Sequence, residues 1–175
     1  RSERVQLHNK QQTTSNKQQD ILSRKNGSQL KQNLFCNNMK AMIFAAGLGK
    51  RLGKITESIP KALVNINGKT VLQMAVERCS AYGFDDIIIN VHYFADMVED
   101  EVKRLNKAGF RISVSDERKK LLENGGGVYK ARDFFGKNPF LLYNVDIISD
   151  LDLSVLYRLH LKKKGLATLA VRHRP

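Results

Sequence analysis

The stretch AAGLGKRLGKITESIPK, which runs from Ala45 to Lys61, combines paired glycines with several cations. Glycine lets a backbone turn approach a ligand without an obstructing Cβ. Arginine and lysine side chains bind phosphate oxygens. The combination therefore indicates phosphate binding. Three kinds of phosphate-binding loop begin with a glycine-rich turn after a strand, and they lead to different chemistry.

The spacing of the glycines argues against two of these loops. A P-loop requires Gly, four residues and then Gly-Lys-Ser/Thr. The chain reads GKT at 68–70, but Leu63 stands where the first glycine is required. A dinucleotide-binding turn requires G-x-G-x-x-G, and Leu52 occupies its third glycine position, with Gly53 one residue late. The next predicted strand also ends in NVH, without the acidic residue that would bind a ribose.

Strand and helix patterns alternate along the chain from Met39 onward. Short apolar runs are typical of buried strands, and apolar residues at helical spacing predict helices. The predicted strands are AMIFAA, DIIINV, FRISVS and PFLLYNVD. The predicted helices are TVLQMAVERCSAYG, ADMVEDEVKRLNKAG, GGGVYKARDFF and DLSVLYRLHLKKKG, the last followed by LATLAV. In the second helix, Met97, Val98, Val102 and Leu105 repeat the helical spacing. The alternation predicts an α/β fold with a mostly parallel sheet flanked by helices.

Three residues whose types suit ligand binding lie at the carboxyl ends of predicted strands. They are Gly47, Asn90 and Asp146. Ligands of open α/β sheets bind at this edge. We therefore expect one ligand site to form there.

The third kind of loop is G-x-G-x-R followed by Pro-Lys, and Gly47, Gly49, Arg51, Pro60 and Lys61 fit it. With PKALV, ENGGG and NVD in the same order, residues 39–175 closely resemble the sugar-1-phosphate nucleotidyltransferases. The nearest type includes N-acetylmuramate-1-phosphate uridylyltransferase and mannose-1-phosphate guanylyltransferase. The resemblance implies a Rossmann-like fold of the nucleotide-diphospho-sugar transferase type. It also implies transfer of a nucleoside monophosphate from a nucleoside triphosphate to a sugar 1-phosphate, with release of pyrophosphate.

The resemblance also implies a role for each motif. Nucleotide binding falls to Ala46, Gly47, Gly49, Lys50, Arg51, Lys61, Gly125 and Gly126. Arg51 and Lys61 would be catalytic as well, because they offset charge that develops on the phosphates. Asn144 would contact the sugar. Asp146 would bind Mg²⁺, which takes one or two carboxylates and leaves positions for phosphate oxygens.

The chain departs from the family pattern in the loop and at its C-terminus. The family usually has Ser or Thr where Lys50 stands and Pro where Lys54 stands. Members continue beyond TLAVRHRP with strands that complete the sugar pocket and supply a second metal-binding Asp. We therefore expect residues 39–175 to be a nucleotidyltransferase domain that is incomplete at its C-terminus. A catalytically silent nucleotide-binding or regulatory module of the same fold is the alternative.

Residues 1–38 differ in composition from the rest of the chain. They are rich in Gln, Asn, Ser and Lys, and they carry seven Lys or Arg against two acidic residues. They thus supply five of the thirteen net positive charges. Such a segment cannot bury enough apolar surface to offset its ordering entropy, so we predict a disordered, basic tail. A nucleic-acid-binding arm is the other interpretation, but aromatic residues are not interleaved with the cations.

Cysteine content and hydropathy bear on the setting of the protein. Cys36 and Cys79 lack metal-ligand spacing, which suits a reducing compartment. No run of about 18 apolar residues predicts a membrane span, and no apolar signal segment stands at the N-terminus. We expect a cytoplasmic protein whose partners are a nucleoside triphosphate and a sugar 1-phosphate, without nucleic acid or membrane.

Overall fold

The computed structural model describes residues 39–47, 49, 53 and 56–172. Residues 1–38, for which the sequence predicts a tail, lie outside the described residues, as do Lys50, Arg51 and Lys54. Within the described ranges, no helix has both the length and the apolar character that crossing a bilayer requires.

Four of the six strands in the described part of the chain form one parallel sheet. The strands are β1 (Lys40–Phe44), β2 (Asn65–Ile66), β3 (Lys69–Thr70), β4 (Asp86–Val91), β5 (Arg111–Asp116) and β6 (Phe140–Asn144). The sheet has the order β5–β4–β1–β6, and each neighbouring pair is parallel. Phe44 at the end of β1 is level with Asn90 on one side and Asn144 on the other. The carboxyl ends of these strands therefore meet at one edge, and the expected α/β fold is confirmed.

Helices connect the parallel strands, which cannot be joined by tight turns. They are α1 (Val71–Ala81), α2 (Ala95–Lys107), α3 (Glu123–Lys130), α4 (Arg132–Phe135) and α5 (Leu153–Lys163), with a 3₁₀ turn at Lys61–Leu63. In α2, Val98, Val102 and Leu105 are buried as the spacing predicts, whereas Met97 is 38% exposed. The prediction of Met97 as a buried residue is wrong, because Met97 is rotated about 100° from Val98 around the helix. Ala95 takes its place in the buried stripe.

Two local features differ from the sequence-based elements. β2 and β3 form an antiparallel hairpin that was not predicted. Its turn residues, Asn67 and Gly68, both have positive φ, 51° and 85°, and an Asn-Gly pair is the usual signal for such a turn. The predicted helix GGGVYKARDFF is instead two helices, α3 and α4, that meet at Ala131. The alternation ends after α5, because the LATLAV segment, 166–171, forms no strand in the described part of the chain.

Both faces of the two central strands, β1 and β4, are largely buried, whereas Leu142 in the edge strand β6 is 47% exposed. On one face, Met42 and Ile88 pack with Ala131 and Phe135 in a core cluster. Successive side chains of a strand point to opposite faces, so Ile43 points away from that cluster, and it too is completely buried. Burial on both faces explains the continuous apolar runs in β1 and β4. The ends of the strands are therefore the place where polar groups can meet a ligand.

The side chain of Thr70 joins α1 to α2. Its hydroxyl accepts a hydrogen bond from the Gln73 amide at 2.9 Å, which caps α1, and donates one to Glu101 Oε1 at 2.7 Å. The guanidinium of Arg104, followed by this hydroxyl, holds the pKa of Glu101 below its usual value against the opposing effect of burial. Thr70 therefore stabilises both the start of α1 and the contact between the two helices.

Thr70→Ala should lower the free energy of unfolding by about 1 kcal/mol, the usual cost of a lost N-cap. Thr70→Ser keeps the hydroxyl and should lose less than half as much. Urea unfolding followed by circular dichroism measures both. Equal stability of the alanine variant and the parent would contradict the assigned cap.

Candidate functional site

A cavity of about 170 Å³ opens at the carboxyl edge of the sheet. It lies where β1, β4 and β6 end, as the sequence analysis expects for a ligand site in such a sheet. The lining residues are Phe44, Ala45, Ala46, Gly47, Lys61, Asn90, Leu121, Glu123, Asn124, Asn144, Val145 and Asp146. Five residues that the sequence analysis assigned to the site line this one cavity, namely Ala46, Gly47, Lys61, Asn144 and Asp146.

The loop after β1 forms one wall of the cavity, and Asn90 holds it. Asn90 Oδ1 accepts hydrogen bonds from the amides of Ala45, at 2.9 Å, and Ala46, at 3.3 Å. Both alanines are buried, whereas Gly47 is exposed. A Cβ added at Gly47 would meet no atom within 4 Å. The space beside Gly47 is therefore open to a ligand.

Gly49 is required for the conformation of the loop after β1, independently of any ligand. Its φ is +64°, and an added Cβ would lie 2.9 Å from Thr56 Cγ2. Thr56 is buried, and its hydroxyl lies 3.1 Å from the carbonyl oxygens of both Gly49 and Gly53, in the geometry of a shared hydrogen bond. Thr56 thus connects the backbone of Gly49 to that of Gly53 from the buried side of the loop. The two glycines have different tasks, since Gly49 shapes the loop and Gly47 leaves the cavity open.

Lys61 and Asp146 form an ion pair at the rim of the cavity. Lys61 Nζ donates to Asp146 Oδ2, and the two side chains are 29% and 44% exposed. Lys61 is brought there by the 3₁₀ turn that follows the buried Pro60. Asp146 is two residues beyond Asn144, and the residue between them, Val145, is buried. Asn144, Val145 and Asp146 all line the cavity, where the chain leaves β6 in a turn.

Four further predicted site residues are not tested by the cavity. Lys50 and Arg51 lie outside the described residues. Gly125 and Gly126 belong to α3, and the cavity is lined instead by Glu123 and Asn124 in the first turn of that helix. At Gly126 an added Cβ would lie 2.9 Å from Leu122 Cβ, which is a structural reason for that glycine. Nucleotide contact at Gly125 and Gly126 stays a prediction.

Sequence reasoning missed Glu117, which lies against the cavity wall and is 2% exposed. Its Oε1 accepts a hydrogen bond from Asn90 Nδ2 at 3.1 Å, and its Oε2 accepts one from the Leu122 amide at 3.2 Å. The position offered a signal, because Glu117 directly follows β5 at the end of the sheet where ligands of such folds bind. His92 serves this region structurally, since its Nδ1 lies 2.7 Å from the carbonyl oxygen of Glu117. A carbonyl only accepts, so this contact requires a proton on Nδ1.

Within the described residues, no group of three or more His, Cys, Asp or Glu side chains could enclose a metal ion. A dedicated protein cage is thus not present in that part of the chain. A single carboxylate such as Asp146 suits Mg²⁺, which keeps waters and takes phosphate oxygens as its other ligands. The donor set fits a cation that arrives together with a phosphate.

Cys79 takes no part in this chemistry. It is fully buried in α1, and burial raises the pKa of its thiol to about 12. The thiol is therefore neutral at physiological pH, and the neutral form is a poor nucleophile. Cys79 is a core residue.

The chain belongs to the Nucleotidyl transferase family, which matches residues 40–175. The resemblance drawn from the four motifs is thereby confirmed. It extends across the loop after β1, the cavity and every helix and strand of the described fold.

Curated relatives of the chain are sugar-1-phosphate nucleotidyltransferases by name. N-acetylmuramate alpha-1-phosphate uridylyltransferase of Caulobacter vibrioides is 41% identical over 110 residues, which are 62% of this chain and 46% of that protein. UTP–glucose-1-phosphate uridylyltransferase of Synechocystis is 34% identical over 147 residues, 78% of this chain and 38% of that protein. Mannose-1-phosphate guanylyltransferase catalytic subunit beta of Xenopus tropicalis is 38% identical over 125 residues, 70% and 34% respectively. The chain spans less than half the length of these three relatives.

Solved structures share the fold. HddC from Yersinia pseudotuberculosis, complexed with GMP-PN, has a TM-score of 0.63 and 29% identity, with 70% of this chain and 54% of that chain covered. A UDP-glucose pyrophosphorylase complexed with UDP-glucose has a TM-score of 0.60 at 23% identity, with 73% and 55% covered. The second likeness concerns the fold alone.

Gly47→Ala and Gly49→Ala should separate binding from folding. An alanine at position 49 would adopt a left-handed φ and crowd Thr56, so the free energy of unfolding should fall by about 1 kcal/mol or more. An alanine at position 47 meets open space and should leave stability unchanged while weakening the binding of any phosphate ligand in the cavity. Thermal unfolding with and without UTP or GTP measures both effects. Equal effects of the two variants on stability would contradict this division of tasks.

Proposed function

We propose that the protein transfers a nucleoside monophosphate from a nucleoside triphosphate to a sugar 1-phosphate, giving a nucleoside diphosphate sugar and pyrophosphate. The observation that carries this proposal is the placing of Lys61 and Asp146 in one cavity with the open backbone at Gly47. Membership of the Nucleotidyl transferase family and the names of the relatives support it. The proposed setting is the reducing cytosol.

The proposed reaction is a displacement at phosphorus. An oxygen of the sugar phosphate forms a bond to the α-phosphorus, and the bond from that phosphorus to the bridging oxygen of pyrophosphate breaks. The attacking oxygen is already anionic, so no side chain has to remove a proton. The task of the protein is to bring two polyanions together and to stabilise the charge of the transition state.

Lys61 is the described cation best placed for this task. Its ammonium group lies at the cavity rim and is held by Asp146. A partly exposed ion pair of this kind contributes only about 0–1 kcal/mol to stability. Lys61 can therefore exchange Asp146 for a bound phosphate with little loss of folding stability. Arg51, which lies outside the described residues, is proposed as a second phosphate-binding cation on the strength of the family pattern.

Asp146 is proposed to hold Mg²⁺ together with the phosphates. When bound, the ion would neutralise phosphate charge and polarise the α-phosphoryl group. Asp146 provides a hard oxygen donor on the cavity face. Asn144, which lines the same cavity two residues earlier, is proposed to contact the sugar. Without a cation, the carboxylate of Asp146 would repel an incoming triphosphate, and its pairing with Lys61 reduces that repulsion.

Lys61→Ala should weaken UTP or GTP binding by about 10- to 100-fold, because a hydrogen bond to a charged group is worth about 1.5–3 kcal/mol. Lys69→Ala is the matched control, since Lys69 also forms an ion pair, with Glu77 at 2.6 Å, but does not line the cavity. Isothermal titration calorimetry with Mg²⁺ and each triphosphate measures both dissociation constants. Equal affinities of the Lys61 and Lys69 variants would remove Lys61 from the proposed site.

Asp146→Asn should abolish the dependence of nucleotide affinity on Mg²⁺. In EDTA the variant should bind triphosphate as tightly as the parent or more tightly, because a negative charge is gone and Lys61 is released. Asp86→Asn is the control, since Asp86 pairs with Arg111 at 2.7 Å. Both residues begin their strands, at the end of the sheet opposite to the cavity. Titrations in Mg²⁺ and in EDTA decide the point. A variant that still binds better with Mg²⁺ would place the metal elsewhere.

Pyrophosphate release with a panel of sugar 1-phosphates tests the reaction itself. We expect release to require a triphosphate, a sugar 1-phosphate and Mg²⁺ together. Triphosphate binding without pyrophosphate release from any sugar would instead favour a catalytically silent nucleotide-binding module. A thermal-shift panel of UTP, GTP, CTP and dTTP identifies the base, since a ligand at about 100 times its dissociation constant stabilises by about 2.7 kcal/mol.

A further inference from the structure

Asn90 and Glu117 form a buried polar pair beneath the cavity. Their side chains belong to residues that are 3% and 2% exposed. They follow each other in a chain of hydrogen bonds that begins at the loop after β1 and ends at the turn before α3. Each end of this chain is a wall of the cavity.

The hydrogen bonds use the two side chains in complementary ways. The oxygen of the Asn90 amide holds the backbone of Ala45 and Ala46, and its nitrogen donates to Glu117 Oε1. The second carboxylate oxygen, Oε2, accepts from the amide of Leu122. Leu121 and Glu123, on either side of Leu122, line the cavity. The pair thereby sets the separation between the loop after β1 and the first turn of α3.

Helix α3 is packed directly on this pair. A Cβ added at Gly127 would lie 2.9 Å from Glu117 Oε1 and 3.4 Å from Asn90 Nδ2. The absence of a side chain at Gly127 therefore lets the helix approach the carboxylate. The third glycine of ENGGG has a structural reason that involves the same two residues.

A buried carboxylate is a costly way to hold a fold together. Burial of a charge is unfavourable, and apolar residues of similar volume often stabilise a protein as well or better. A fully hydrogen-bonded buried network does fix one geometry, because every unsatisfied alternative is penalised. The placement of such a network beneath the cavity points to a requirement for precise wall geometry.

We propose that Asn90 and Glu117 are positioning residues that hold the loop 45–47 and the turn 121–124 at the separation a nucleotide requires. The inference rests on the proposed nucleotide-binding function of the same cavity. The pair acts through the backbone of the two walls. What matters is the order of donors and acceptors, and not which of the two positions carries the charge.

Exchange of the two groups tests this order. In Asn90→Asp, a carboxylate oxygen faces Glu117 Oε1 in place of an N–H group, so two anions meet. In Glu117→Gln, the new amide can accept from Asn90 or from Leu122, but not from both. The double variant Asn90→Asp/Glu117→Gln restores every hydrogen bond with the polarity of the pair reversed and the net charge unchanged.

Each single variant should raise the dissociation constants of Mg-UTP and Mg-GTP at least about tenfold, the effect of one lost hydrogen bond to a charged group. The double variant should return to within about threefold of the parent. Asn106→Ala is the control, because Asn106 also bridges backbone groups, the amide and carbonyl of Ile112 at 2.9 and 3.0 Å, but does not line the cavity. It should lower the melting temperature without changing nucleotide affinity. Parent-like binding by the single variants, or a folded double variant that binds as weakly as they do, would overturn the proposal.

Amide hydrogen exchange tests the same network without a ligand. The Leu122 amide should lose protection in Asn90→Asp, although Asn90 does not contact it, and regain protection in the double variant. Unchanged protection of Leu122 in the single variant would overturn the inference. Failure of the parent to bind any of the four triphosphates would refute the proposed function alone, and exchange at Ala45, Ala46 and Leu122 would still decide whether the pair holds the walls.

Discussion

The site depends on two successive backbone amides that are turned inward. Asn90 Oδ1 accepts hydrogen bonds from Ala45 and Ala46, where β1 has ended and its ladder partners no longer satisfy the backbone. Buried amides without a partner would each cost about 1–3 kcal/mol. Asn90 removes that cost and directs the chain so that Gly47 emerges at the cavity. The parallel register of β1 and β4 makes the contact possible, because it places Asn90 level with Phe44.

Asp146 and Glu117 place two carboxylates at the cavity in different surroundings. Lys61 and Asp146 neutralise one another at the rim, while the carboxylate of Glu117 lies buried beneath, with hydrogen bonds from neutral N–H groups. The two carboxylates have different tasks because their surroundings differ. Under the proposed function, Asp146 exchanges Lys61 for a metal ion and the Lys61 ammonium turns to a phosphate, whereas the hydrogen bonds of Glu117 hold the two walls of the cavity. This separation of a partly exposed ion pair from a buried, hydrogen-bonded network is suited to binding a polyanion with its cation.

Much of this arrangement could be predicted from the residues. The apolar runs and helical spacing locate the four strands of the parallel sheet and most of the helices, and Gly47, Asn90 and Asp146 were expected to meet because parallel strands end together. The hairpin at Asn67 was missed although its Asn-Gly turn is a recognised signal. Glu117 was missed for a different reason. A charged residue after a strand predicts exposure in most cases, and its burial depends on hydrogen bonds that form only when distant segments are folded.

The exchange of partners by Lys61 is the central claim, and a crystal structure with Mn²⁺ and a UTP or GTP analogue that cannot be cleaved at the α-phosphate tests it most directly. Mn²⁺ stands in for Mg²⁺ and gives an anomalous signal. We expect an anomalous peak within bonding distance of the Asp146 carboxylate, with Lys61 Nζ moved from Asp146 to a phosphate oxygen and the analogue seated against Gly47. A metal remote from Asp146, or an intact Lys61–Asp146 pair beside a bound triphosphate, would contradict the account.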